Sequence, residues 1–417
     1  MKKEEKIAFI LLIIVLLIVS IITFLLWRQQ EVYYYVPPEK SFIYNDGELQ
    51  YGIEKHLREA VETEIVKLIK DKNSFIYVDL KDMQLTLYKE GEILRVFPIQ
   101  AKGAEWFWGE TPPGVYSAGF MARLHFSSAA RVWMPYAIQY YGNYFIHGWP
   151  YDRAGKPLSL GVSGGCIRLR TEDAAVVFEF VKDNMPILIF DEKTASPLPA
   201  LISTEKEISP PDIKGQSFLV ADLDTGEILL NNGAKSEIYA GSSVKEMLAL
   251  TASDNVDLEK RIIAKTWMFA EGVEEKIIIP GKSYRGYDLL SPLLLQSSNT
   301  AALVLSRFLT AEEFVKRMNA KAKGIGMKNT NFADVTGVSE ENITTLYDAA
   351  KMMRYIKDYR NFILGIGREK EEIFKVLEMK TPENLSRFIF IGVANSLDLG
   401  ADLENITLWL NDNFNLK

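Results

Sequence analysis

One cysteine is too few for an intramolecular disulfide or a cysteine-based zinc cluster in this chain of 417 residues. Three histidines restrict a metal site as sharply, and neither a metal nor an organic cofactor is expected. A basic excess is absent too. The formal net charge is −7, so nothing in the balance grips a phosphate backbone, and nucleic acid is excluded as a partner. Repeats and low-complexity tracts are missing, and 48% hydrophobic with 25% charged residues excludes a disordered or fibrous chain. At roughly 150 residues per domain, the length predicts two to three domains.

Charge, glycine and proline are all missing from Ile7 to Trp27. At 1.5 Å of rise per residue that run spans about 30 Å, the thickness of a bilayer's hydrocarbon core. It is too long for a signal peptide, and its end (Phe24, Leu25, Leu26, Trp27) is a poor cleavage site. Lys2, Lys3 and Lys6 precede the run and Arg28 is the only early base after it, which predicts a cytoplasmic N-terminus. Residues 1–27 are therefore expected to be a cytoplasmic tip and a single transmembrane anchor, with the remainder outside the cytoplasm.

Residues 28–73 read as a tether followed by an amphipathic helix, with Leu49, Ile53, Leu57, Val61, Ile65 and Leu68 at three- and four-residue steps. From Ser74 the period changes to two. Phe75–Leu80, Leu85–Tyr88 and Ile93–Phe97 are short β-rich runs separated by turn signals, and Met185–Phe190 closes a mostly-β unit over 74–191. Residues 192–214 carry Ser196-Pro197, Pro199 and Ser209-Pro210-Pro211, the mark of a linker. A second unit, 215–417, opens with a hairpin at Phe218–Leu230. It runs through helical stretches, then a second hairpin (Ile373–Met379 and Phe388–Val393) and a last helix at Leu403–Phe414.

The segments Ile146-His147-Gly148-Trp149-Pro150 and Ser163-Gly164-Gly165-Cys166-Ile167-Arg168-Leu169 carry the chemistry. The sole thiol sits in a glycine-rich turn entering an apolar strand, where a nucleophile can project and a substrate can approach closely. A thiol with pKa ~8.5 needs a base or a positive neighbour to become thiolate at neutral pH. His147 is the natural base, Gly148 leaves room beside it, and Arg168 supplies positive charge. The N–H groups of Gly164, Gly165 and Cys166 would form an oxyanion pocket. The residues alone leave open the plainer reading, a small buried cysteine and a satisfied core histidine.

Ile-His-Gly followed by Ser-x-Gly-Cys-Ile-Arg-Leu resembles the signature of the L,D-transpeptidase (YkuD-like) catalytic domain, over about Ser74 to Asp191. Ile76–Leu80, Thr111-Pro112-Pro113-Gly114 and Met134-Pro135-Tyr136 support the match. The resemblance implies a β-sandwich-like fold, a Cys166 nucleophile, a His147 base and peptidoglycan stem peptides as substrate. It also implies a pocket shaped by Ser163, Gly165, Arg168 and Tyr136. One departure stands out: many members carry a histidine where this chain has Gly164, and His125 is the only spare, at the groove or merely in packing.

The C-terminal unit holds Ser242-Ser243-Val244-Lys245, then Ser297-Ser298-Asn299, then Lys380-Thr381-Pro382. In that order the set is similar to the D-alanyl-D-alanine carboxypeptidase family of penicillin-binding serine peptidases. Ser242 and Lys245 share one helix face, so the amine is placed to deprotonate the hydroxyl. Ser297 and Asn299 would complete a proton relay. In the family the third motif is Lys-Thr-Gly on an edge strand with two strands after it; here Pro382 replaces the glycine, removing an N–H and fixing φ, and a strand is expected to be missing. Three readings of this unit stay open: a non-catalytic binder of stem peptide or a partner, an active carboxypeptidase, or a scaffold. The fold class expected is multidomain: a transmembrane helix, a mostly-β L,D-transpeptidase domain, then an α+β serine-peptidase/β-lactamase-like domain. A bacterial membrane-anchored L,D-transpeptidase, or L,D-carboxypeptidase with water as acceptor, is the function implied; a catalytically inactive wall-binding protein is the alternative.

Overall fold

The computed structural model describes residues 56–416 except 104–109, 128–129, 160–162, 192–198, 200, 204–208, 242, 270–276, 368–372 and 383. The expected span Ile7–Trp27 lies outside the described residues; among those described, no helix is long and apolar enough to cross a membrane. The described residues of both expected domains fall in one compact unit.

Helix α1 (His56–Lys70) shows why its apolar spacing matters. Val61 and Leu68 are buried and meet Phe75 and Leu188, and Lys67 and Lys70 occupy the last turn, where the helix dipole favours a cation. The period-two runs then become strands β1 (Phe75–Asp79), β2 (Gln84–Lys89), β3 (Glu92–Pro98) and β4 (Gly114–Ser117). Next come β5 (Met121–Ser127), β6 (Val132–Tyr141), β7 (Tyr144–His147) and β8 (Ile167–Arg168). Helix α2 (Thr171–Phe180) and β9 (Pro186–Phe190) finish the unit. One sheet has the order β3-β2-β1-β9-β4, the other β5-β6-β7-β8. Strand β9 returns parallel to β1, tying the end of the unit to its start. Ile76, Val78, Leu85 and Leu87 of the first sheet and Ile138, Ile146 and Ile167 of the second share one core, so the two sheets stack as a sandwich.

In the C-terminal unit β10 (Leu201–Ser203) precedes β11 (Ser217–Asp222), β12 (Ile228–Asn232) and β13 (Ile238–Tyr239). Helix α3 (Ser243–Asn255) is followed by β14 (Arg261–Ile263), a 3-10 turn at Thr266–Met268 and β15 (Ser283–Arg285). Helices α4 (Gly286–Leu295), α5 (Asn299–Ser306) and α6 (Ala311–Gly324) lead to β16 (Ile343–Thr344). The unit closes with α7 (Leu346–Tyr359), α8 (Asn361–Gly367), β17 (Phe374–Lys380), β18 (Ser386–Ala394), α9 (Leu399–Asn413) and β19 (Phe414–Leu416). The main sheet is antiparallel in the order β12-β11-β18-β17. Every residue of α3 is buried, so it is the axial helix of this unit rather than an amphipathic surface helix.

The described residues of the expected linker are tied to the C-terminal unit. β10 pairs antiparallel with β19, Trp409 Nε1 donates to Ser209 O at 2.8 Å, and the N–H groups of Lys214 and Gly215 donate to the Asp402 carboxylate at 2.8 Å each.

Candidate active site

Strands β7 and β8 run parallel, with Ile146 opposite Ile167 and His147 opposite Arg168. Side chains alternate along a strand, so the two isoleucines, both fully buried, face the sandwich core, while His147, Cys166 and Arg168 share the other face. The half-buried Cys166, like Leu158, packs against a buried cluster of Val132, Met134, Ala137 and Phe145. Its Sγ–H points to Asn143 O at 3.8 Å.

His147 is 2% exposed, and its Nδ1 lies 2.6 Å from Gly148 O. A carbonyl only accepts, so Nδ1 carries the proton and Nε2 keeps its lone pair, the form a base needs. Burial lowers the imidazole to about 4, with Arg168 and His125 adding to the effect. Burial pushes the Cys166 thiol up to about 11, against the pull of a backbone hydrogen bond at Phe145 and the Arg168 charge. Both shifts favour the uncharged forms. The resting pair is therefore neutral thiol and neutral imidazole.

The cysteine turn is held from both sides. Ser163 Oγ donates to Cys166 O at 2.6 Å, and Tyr140 Oη donates to Gly165 O at 3.4 Å. Gly165 has φ +104°, and a Cβ there would stand 2.2 Å from Tyr144 Cε1, so only glycine fits. Gly164 is the opposite case: it is exposed, and a Cβ would meet nothing within 4 Å. Gly148 abuts Thr171, whose Cα would lie 3.0 Å from an added Cβ. Arg168 is buried, with its guanidinium 5.9 Å from the Trp149 ring. Tyr136 sits at φ +50° and turns its ring edge-on to Phe178 of α2, 5.9 Å away. His125 stacks on Phe145 at 5.1 Å, and Phe145 belongs to the buried cluster against which Cys166 packs.

Among the second-unit candidates, Ser242 lies outside the described residues. Lys245, on the buried α3, donates from Nζ to Thr336 O at 2.7 Å. Ser297 has φ +51°, Ser298 caps α5 by accepting from Ala301 N at 2.9 Å, and Asn299 is exposed. Lys380 ends β17, the edge strand, and pairs with Glu378 of the same strand at 3.5 Å. Among the described residues only β18 follows it in this sheet, where the family pattern has two strands.

Residues with no local motif to mark them surround the turn from behind. Tyr144 and Glu110 wall Gly165, and Arg360 of the C-terminal unit reaches both.

The first unit is thus a two-sheet domain that presents one thiol and one histidine on a shared strand face. The L,D-transpeptidase catalytic domain family model matches residues 73–189 and the D-alanyl-D-alanine carboxypeptidase family model matches residues 204–389, in the order of the two resemblances. Curated relatives include the D-alanyl-D-alanine carboxypeptidase DacF of Bacillus subtilis, 28% identical over 37% of this chain and 42% of its own length. DacB2 of Mycobacterium tuberculosis is 34% identical over 31% of this chain and 44% of its own length. The chain thus spans less than half the length of either. A crystal structure of a D-alanyl-D-alanine carboxypeptidase from Mycobacterium tuberculosis H37Rv covers 51% of this chain and 95% of its own, at 22% identity and TM-score 0.41.

Proposed function

We propose that this protein is a peptidoglycan L,D-transpeptidase anchored in the bacterial cytoplasmic membrane through residues 7–27, with its N-terminus inside and both domains outside. The observation that supports the chemistry most directly is the shared face of β7 and β8, with the His147 tautomer set by Gly148 O. His147 Nε2 takes the Cys166 proton as sulfur attacks the amide between the L-centre and the terminal D-residue of a tetrapeptide stem. The N–H groups of Gly164, Gly165 and Cys166 receive the oxyanion. The C–N bond breaks, the leaving amine takes the proton from the imidazolium, and a thioester remains. An acceptor amine then displaces the thiol to make a cross-link; water instead gives the tripeptide. Purified ectodomain incubated with disaccharide-tetrapeptide should yield dimer or tripeptide by mass spectrometry, and Cys166→Ala should abolish both. Unchanged product with Cys166→Ala would refute the reading.

For the C-terminal domain the reading is a non-catalytic relative that holds stem peptide and supports its neighbour. Pro382 in place of glycine, the single strand after Lys380, and the Lys380–Glu378 pair favour this over an active carboxypeptidase.

A further inference from the structure

We propose that Arg360, supplied by the C-terminal domain, is a positioning residue for the Cys166 turn, acting through Tyr144 and Glu110. This rests on the reading of Cys166 as the nucleophile. Arg360 follows α7 and its side chain is 1% exposed. Nη2 donates to Asp254 Oδ1 at 2.6 Å, to Tyr144 Oη at 3.3 Å and to Glu110 O at 3.4 Å, and Nη1 lies 3.7 Å from Glu110 Oε2.

These two acceptors have a second role. The space beside Gly165 is bounded by Tyr144 Cε1, 2.2 Å from an imagined Cβ, and by Glu110 O, 3.2 Å from it. One guanidinium therefore fixes both walls against which Gly165 is pressed, one residue before the nucleophile. Gly165 and Cys166 also carry two of the N–H groups that would meet the oxyanion, so a shift in the walls misaligns sulfur and donors together.

Arg360 is itself oriented by its own domain. Asp254 at the end of α3 accepts from Nε at 2.9 Å as well as from Nη2, and its other oxygen pairs with Lys321 at 2.8 Å. Lys321 Nζ sits 4.4 Å from the Tyr141 ring and donates to Tyr116 Oη at 3.2 Å, both residues of the transpeptidase domain. The planar fork holds its targets in fixed directions, which an ammonium cannot do.

The test uses the full ectodomain with Arg360→Gln, Arg360→Lys and Tyr144→Phe, the last keeping the ring but removing the acceptor. Two readouts are taken per folded molecule: the rate of Cys166 acylation by a carbapenem, and the pH midpoint of Cys166 alkylation by iodoacetamide, whose label is unambiguous because the chain has one cysteine. Arg360→Gln and Tyr144→Phe should slow acylation at least tenfold and lower the alkylation midpoint by a pH unit or more as water reaches the sulfur. Arg360→Lys should recover part of both. A purely structural contact would lower Tm while leaving rate and midpoint at wild-type values, and that result overturns the proposal. If Arg360→Gln does not fold, Tyr144→Phe decides. Failure of the nucleophile reading looks different: the wild type itself would then resist the carbapenem, while the alkylation midpoint would still report on Arg360.

Discussion

At Cys166 and His147 the decisive quantity is where the proton rests. With the thiol at about 11 and the imidazole at about 4, the reactive free form is the neutral pair. The expected kcat/KM profile is flat from about pH 5 to about 10, falling outside those limits. An acidic limb centred near 6.5 would contradict it. The same imidazole makes a stability prediction. Its folded pKa lies below the ~6.5 of an exposed histidine, so the unfolded chain binds the extra proton in the window between them. Stability is full above about 6.5 and falls as pH drops toward 4, by up to about 3 kcal/mol at about 1.4 kcal/mol per pH unit. Urea unfolding of His147→Gln should show a correspondingly shallower loss across that window. Gly165→Ala is expected to eliminate acylation, since a methyl 2.2 Å from Tyr144 must displace the ring or the turn. Unaltered acylation in that variant would show that the turn is looser than its contacts indicate.

Among the elements, the strand carrying His147 and the turn carrying Cys166 were legible because short-range signals define them: a period of two, flanking glycines, and an apolar exit at Ile167. The short spacing from Thr381 to Phe388 likewise pointed to a missing strand, and among the described residues one strand of the main sheet follows Lys380. The helix beginning at Ser243 was legible only through its Ser-x-x-Lys motif, because a helix buried on all sides has no amphipathic period to read. The linker's prolines gave no sign of the pairing of Leu201–Ser203 with Phe414–Leu416, since strand partners distant in sequence leave no local trace. The degraded third motif leads to an expectation for this element: labelled penicillin should leave no adduct at Ser242 at doses that saturate a competent serine peptidase. A labelled Ser242 peptide would restore the carboxypeptidase reading.

Across the whole molecule the least legible feature is the contact between domains. Asp254, Lys321 and Arg360 look in sequence like ordinary charged helix residues, yet their side chains are 0%, 0% and 1% exposed and meet a tyrosine-rich wall. Burial lowers the Lys321 ammonium to about 8 even with Asp254 beside it. Removing the shared carboxylate strands two buried cations, so Asp254→Ala should cost about 3–5 kcal/mol in denaturant unfolding. A loss below about 1 kcal/mol would mean that water already reaches the cluster. The C-terminal unit meets the Cys166 turn from behind, where Arg360 holds the Tyr144 and Glu110 walls of Gly165. The most direct test is intact and peptide mass spectrometry of the purified protein after brief incubation with a carbapenem. The expected result is one acyl group per chain, located on Cys166 and absent from His147→Ala at the same time point. A wild-type chain that stays unmodified at Cys166, or is modified equally fast without His147, would contradict it.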